Sequence, residues 1–249
     1  MTNLEWTMDA PKLVQATGAA RVAILNDLQA QGHAMGHIPD AHLSPVIKGP
    51  RLAGASMLVV GLGTGVNAAP VHDTSAGRVV PPSECGHVNM PVRTEEDLRL
   101  LRFIEDLLAT HHEVPHAGVE EVLSGRGLAN LHSFAAHEAG HISDAPSAQV
   151  LAALAAGDAT AIHAARLYAR ILGQTLADLA LIHLPYGGIY LIGGMARAML
   201  PHLLRHDITA TFREDRRVDL LKTAFCVQVV EDDFAALTGC AAYLAAQPE

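Results

Sequence analysis

Apolar residues along this chain fall into two kinds of run. Some are short and continuous, bounded by glycine or polar residues; others recur every three to four positions. Arg21 to Leu25 (RVAIL) is of the first kind and predicts a buried strand that stops at Asn26-Asp27. Leu28 to Met35 follows as a short helix, and Gly36 to Gly54 as a Pro/Gly-rich link. A strand over Met57 to Val60 leads into Gly61-Leu62-Gly63-Thr64-Gly65, and Asn67 to His72 reads as the returning strand. Val79 to His87 reads as loop. Thr94 followed by Asp97 marks a helix start, behind which Leu100, Leu101, Ile104, Leu107 and Leu108 share one face. A second helix opens near Gly127, and a long one runs from about Asp158 to about His183. A strand from Gly188 to Ile192 ends in Gly193-Gly194, which opens a helix over Met195 to Leu204. Phe225 to Val230 is the last strand and Phe234 to Ala245 the last helix. Strands that alternate with helices give an α/β layout.

Composition adjusts that picture in three places. Of 249 residues, 50% are apolar and only 4% aromatic, so the core is aliphatic and helix-rich. The net charge of -9 argues against a nucleic-acid or membrane-surface partner, which would want a basic patch. It leaves room for a phosphorylated ligand, because backbone amides outweigh net charge locally. Cys85, Cys226 and Cys240 are odd in number with no CxxC, which fits reduced thiols in a cytosol. The N-terminus shows no basic segment with an apolar run behind it, and no apolar stretch reaches membrane-span length. A soluble, cytoplasmic protein is expected.

The residues that carry chemistry each have a plainer reading beside the functional one. The glycine turn at 61–65 lets successive amides form an anion-binding concavity, though a bare hairpin needs the same glycines. Asp27, at the carboxyl end of its expected strand, is placed to act as a general base toward a hydroxyl, or simply to cap the helix after it. Glu84 and His87 can accept from and donate to vicinal hydroxyls, or be ordinary loop polarity. Glu120 stands just before Val122-Leu123-Ser124-Gly125-Arg126-Gly127 and either faces a cleft or is a solvated acid; Glu121 takes the solvated role. Gly193-Gly194 suits a base or phosphate at a helix start, or close helix–strand packing. His137-Glu138-Ala139-Gly140-His141 is a literal HExxH, the pattern of zinc hydrolases. Ile142 to Pro146 breaks the helix it would need, and with 15 histidines in the chain a chance match is credible. No metal ligands are assigned.

Taken in order, Thr2-Asn3 with Trp6, Leu25-Asn26-Asp27, Gly61 to Gly65, Ser83 to His87, Glu120 with Leu123 to Leu128, and Gly187 to Gly194 resemble the bacterial ATP-dependent glucokinases. These belong to the sugar-kinase, actin and heat-shock ATPase superfamily. The resemblance covers essentially the whole chain. It implies a ribonuclease-H-like, two-lobed α/β fold, with a truncated N-terminal lobe at 1–50 and a C-terminal lobe at 51–249. It implies transfer of the γ-phosphoryl group of ATP, with Mg2+, to the 6-hydroxyl of glucose, a step of glycolysis. By the same resemblance Asp27 is the catalytic base. Asn26, Asp27, Glu84, His87 and Glu120 bind glucose; Gly61, Gly63, Thr64 and Gly65 the phosphates; Gly193 and Gly194 the adenosine. A homodimer is expected.

The departures from the family pattern carry their own expectations. The family opens with a strand and hairpin bearing a DxGGT-type phosphate loop, and no such motif stands in this sequence. Cys85 replaces the usual glycine, Asn89 an acid, and Asn67 the last glycine of the phosphate turn. Without partners the Arg21–Leu25 strand would present unpaired amides, an association liability that leaves Asp27 poorly fixed. Weak ligand binding and slow or absent turnover are therefore expected, and a non-catalytic sugar-binding or regulatory remnant is the alternative. A zinc hydrolase built on His137, Glu138 and His141 is the third reading.

Overall fold

The computed structural model describes residues 9–247; the Thr2-Asn3 and Trp6 markers lie outside them. The helices are α1 (Ala10–Thr17), α2 (Asp27–Ala34), α3 (Glu95–Thr110), α4 (Glu120–Leu123), α5 (Gly125–Glu138), α6 (Ser147–Ala155), α7 (Ala159–His183), α8 (Gly194–Arg205), α9 (Ile208–Phe212), α10 (Leu220–Thr223) and α11 (Ala235–Ala246). The strands are β1 (Leu43–Ile47), β2 (Met57–Leu62), β3 (Val66–Thr74), β4 (Gly77–Val79), β5 (Ile189–Ile192) and β6 (Val227–Val230). They form one mixed sheet in the order β1-β6-β5-β2-β3-β4. The middle is parallel, β5 between β2 and β6, and antiparallel strands flank it on both sides.

Alternation along the strands sends side chains to two separate cores. Leu58, Val60 and Leu62 of β2, with Ile189 and Leu191 of β5, pack into the larger core with α3 to α8. Met57, Val59, Tyr190 and Ile192 face the other way and are covered by α2, with Ala235 at the start of α11 closing the cluster. Helices thus cover both faces of the sheet. The long α7 is the spine of the larger core, with fifteen buried residues from Ala161 to Ala180. Thr94 caps α3 in a reciprocal box with Asp97. Asp97 is itself fully buried and accepts from Arg170 at 2.6 Å, so its charge is paired inside the protein.

Helix α11 lies against α2, with Gly239 at the crossing. A methyl group there would come within 1.7 Å of the Ala30 carbonyl oxygen. His33 of α2 meets Tyr243 of α11 edge to face at 4.8 Å. Arg78 of β4 donates to the carbonyls of Gly32, His33 and Met35, satisfying the end of α2, and pairs with Asp73 at 2.7 Å. The helix that begins at Asp27 is held along its length and at its carboxyl end.

Two expectations about the N-terminal stretch are corrected. Arg21 to Leu25 forms no strand: residues 21–26 are irregular, no described strand pairs with them, and Ile24 is 50% exposed. Apolar composition made this run look like a strand, but a strand also needs a hydrogen-bonding neighbour. The Pro/Gly-rich link from Gly36 to Gly54 conceals β1, which pairs antiparallel with β6 across a bulge between Pro45 and Ile47. Proline is tolerated there because the strand is at the sheet edge. The expected boundary at residue 50 thus separates β1 in sequence from the sheet it joins. The segments 10–17 and 147–155, read as neither helix nor strand, are helical. No single helix among the described residues is both long and apolar enough to cross a membrane.

Candidate active site

The glycine turn at the end of β2, the start of α2 and the loop before Cys85 converge on a cleft of about 360 Å³. Asn26, Asp27 and Gln31 line it from α2; Gly61 to Asn67 from the β2–β3 turn; Ser83, Glu84 and Glu120 close one side, and Gly193 another. It opens at the carboxyl ends of β2 and β5, where open α/β sheets take their ligands.

Asp27 enters this cleft from the first turn of a helix rather than from a strand tip. Asn26 takes the capping role that the sequence offered to Asp27. Its Oδ1 accepts from the Gln29 amide at 2.6 Å, while its own amide donates to Gln29 Oε1 at 3.2 Å. Gln29 Nε2 in turn donates to the Val80 carbonyl. That leaves the Asp27 carboxylate exposed, with one local bond from the Leu28 amide at 2.9 Å. A carboxylate so placed is open to accept a proton from a neighbouring hydroxyl.

Glu120 ties the turn to the rest of the site. Its Oε2 accepts from the Val66 amide at 2.9 Å, immediately after Gly65. The turn closes on itself through Gly63 N–H to the Gly65 carbonyl (3.0 Å), and the Gly125 amide donates to the Gly63 carbonyl (2.8 Å). Ser124, fully buried, caps α5 by accepting from Gly127. The expected neighbour roles are partly exchanged. Glu121, read as a solvated acid, is only 13% exposed, pairs with Arg126, and burial pushes its carboxyl up from the ordinary value.

Asn67 matters in a way that sequence reasoning missed. Its Nδ2 donates to the Ser83 carbonyl, and its Oδ1 accepts from Ser83 Oγ (2.9 Å) and the Cys85 amide (3.2 Å). This side chain clamps the loop that carries Glu84. Glu84 lines the cleft, whereas His87 does not; the two are exposed, 4.0 Å apart. On the far side, Gly193 adopts φ +102°, a region that side chains rarely enter. A methyl group on it would fall 2.3 Å from the Leu62 carbonyl oxygen. Only glycine lets α8 start against the end of β2.

The HExxH segment does not build a zinc site. Helix α5 ends at Glu138, so His141 is off the helix, beyond Gly140 at φ +79°. Arg99 holds the Glu138 carboxylate at 2.7 Å. Among the described residues no three His, Cys, Asp or Glu side chains come together in a metal-binding group.

Residues 1–247 match the family model described as Glucokinase. The chain belongs to the glucokinase family. It is 32% identical to the glucokinase of Brucella abortus over 245 residues, which are 98% of this chain and 70% of that one. It is 31% identical to the glucokinase of Sinorhizobium medicae, with the same shares covered. A crystal structure of the glucokinase from an Antarctic psychrotroph superposes with a TM-score of 0.87 at 27% identity, over 99% of this chain and 75% of that one. The glucokinase of Balamuthia mandrillaris, solved in complex with glucose, shares the fold at a TM-score of 0.74 and 21% identity, over 90% of this chain and 65% of that one. This glucokinase-family chain is thus an ATP-dependent hexose kinase, a transferase with the α/β sugar-kinase fold, as its motifs led us to expect.

Proposed function

We propose that the cleft between α2 and the β2–β3 turn binds glucose and ATP and transfers the γ-phosphoryl group to the sugar 6-hydroxyl. The observation that carries this reading is the convergence of Asp27, Glu84 and Glu120 with the glycine turn on one cavity. Asp27 is the general base, an exposed carboxylate in the cleft lining. Glu84 and Glu120 accept from sugar hydroxyls, and His87, 4.0 Å from Glu84, joins them at the sugar. Asn26 binds through its amide nitrogen, since its oxygen is engaged in the cap. The turn at Gly61 to Gly65 holds the phosphates through the Thr64 and Gly65 amides, the Gly63 amide being spent on the Gly65 carbonyl, and Gly193-Gly194 holds the adenosine. Relatives of the same fold support both ligands: a Streptomyces griseus glucokinase of the ROK family was solved with glucose and AMPPNP, at a TM-score of 0.61 and 17% identity.

Mg2+ fits as a companion of the nucleotide. The cleft offers isolated carboxylates rather than a cage, which suits an ion that keeps phosphate and water ligands. Asp27, among the cleft carboxylates, would be a ligand for it. When bound, the ion neutralises phosphate charge; positioning and proton acceptance fall to the residues above. A cytoplasmic homodimer completes the proposal.

The unpaired run from Val22 to Leu25 favours a second reading, in which sugar is bound but transfer is slow, because the segment leading into Asp27 has no sheet partner. Calorimetry with glucose, with and without a non-hydrolysable ATP analogue, and a coupled glucose 6-phosphate assay separate the two. Turnover that disappears in Asp27→Asn, by about 100-fold or more, while glucose still binds, supports the kinase. Glucose binding with no turnover in the unaltered chain supports the second reading. No glucose binding at all refutes both.

A further inference from the structure

The HExxH segment builds no zinc site, yet it walls two hollows away from the cleft. One, of about 470 Å³, is lined by Arg99, Arg102 and Glu138; the other, of about 360 Å³, by His111, Ser133 and the 141–144 loop. Phe103, Leu107 and His137 line both, so the two form one groove along α3 and α5 with an aromatic middle. There the Phe103 ring meets Phe134 at 5.6 Å and His137 at 5.3 Å. Two polar groups beside it are already engaged: Ser133 Oγ donates to the Ser143 carbonyl (2.7 Å), and Arg99 holds Glu138. Covering the groove orphans neither. Ile142 stands at one lip, fully exposed, more so than any other large apolar side chain among the described residues. A lone exposed isoleucine is ordinary; one beside an apolar groove extends it into a patch.

Shape and charge both point to a second copy of this chain as the occupant. Knob and hollow lie side by side on one face, as a two-fold contact requires: each copy's Ile142 enters the hollow of the other. Arg102 is exposed in the first hollow and Asp144 in the second, and neither joins an ion pair among the described residues. A two-fold axis through the shared middle exchanges the two ends, so Arg102 of each copy meets Asp144 of the other. With a net charge of -9 on every copy, association needs such local pairing to offset repulsion. We propose that the α3–α5 groove is the contact face of a homodimer, with Ile142 as its knob and Arg102–Asp144 as its cross-axis pair. The inference rests on the homodimer reading and gives that dimer its surface.

The test is sedimentation velocity of the full chain over a concentration series, which reads the dimer dissociation constant. It compares the unaltered protein, Ile142→Asp, Arg102→Asp, Asp144→Arg and the double charge exchange. All three positions are exposed, so the variants keep the fold, and circular dichroism checks this. Ile142→Asp is expected to weaken the dimer about 100-fold or more, because one substitution removes two buried knobs and puts carboxylates in their place. Arg102→Asp and Asp144→Arg each weaken it about tenfold. Asp144→Arg also lowers the net negative charge, so a general charge effect would strengthen the dimer instead. The double exchange returns the constant to within about threefold of the original. A dimer unmoved by Ile142→Asp, or a double exchange no tighter than the single variants, overturns this face and leaves the homodimer reading standing. An unaltered chain that stays monomeric across the series overturns both, and the groove then belongs to a partner of another kind.

Discussion

Replacing Gly193 by alanine tests how α8 and the phosphate turn are joined. Two costs arise from the structure. A non-glycine residue held at φ +102° is strained by about 1–3 kcal/mol. The new Cβ would also lie 2.3 Å from the Leu62 carbonyl oxygen, so β2 and α8 must part by about 0.7 Å to reach the shortest separation real Cβ atoms show. Overpacking of this kind adds about 1–3 kcal/mol. The sum, about 2–5 kcal/mol, is a large share of a typical domain's stability. Urea unfolding should show the midpoint falling by about 1–2 M at unchanged slope. Because Leu62 leads directly into Gly63, the displacement should reach the turn, so AMPPNP affinity falls more than glucose affinity. Gly194→Ala is the internal control. Its Cβ meets nothing within 4 Å and its φ is ordinary, so stability should change by less than about 0.5 kcal/mol. A Gly193→Ala protein as stable as Gly194→Ala would refute the reasoning.

At the α2–α11 crossing, Gly239→Ala should destabilise more than any other alanine substitution in α11, by about 3 kcal/mol in chemical unfolding, since its Cβ would overlap the Ala30 carbonyl. His33 is buried and its pKa is lowered, first by that burial and then by the nearby Arg78 charge. The unfolded chain therefore binds this proton more readily, and the associated stability is present above about pH 6.5 and lost as pH falls below it. Thermal melts at pH 7.5 and 5.5 should show a smaller acid loss in His33→Phe than in the unaltered protein; an identical loss would place the sensitivity elsewhere, with His183, His202 and His206, whose pKa values burial also lowers. Asn67→Gly should leave the β2–β3 turn formed but free the 83–85 loop, weakening glucose binding by about tenfold with nucleotide binding unchanged; equal losses for both ligands would argue against the clamp.

Legibility in the sequence follows from what each pattern encodes. The strands β2, β3, β5 and β6 and the helices α3, α5, α7, α8 and α11 were readable because their periodicity reports burial, and burial follows from the layers they join. Arg21–Leu25 misled because apolarity says nothing about whether a neighbour exists to pair with. β1 was hidden for the converse reason: Ser44 and Pro45 lack a strand's composition, and the edge position forgives them. In the site, the ordered motifs named Asn26, Asp27, the 61–65 turn, Glu84, Glu120 and Gly193, which meet in the cleft, and also His87 and Gly194, which do not line it; each motif is a local stretch whose neighbours travel with it. Asn67 and Glu121 were opaque for want of any local signal. Their importance arises from contacts made with Ser83 and Arg126. Asp27 kept its place in the cleft although its supporting element changed from strand to helix.

The contact of Gly239 with Ala30 joins positions 209 apart in the chain. The element presenting Asp27 leaves the ribosome well before the surface it rests on. During synthesis α2 must wait, half-covered by the sheet alone, until Ala235–Ala246 emerges to brace it. Bracing of the cleft therefore trails the rest of the sheet, and a nascent or clipped chain lacking α11 would keep its larger core while losing the rigidity under its acid.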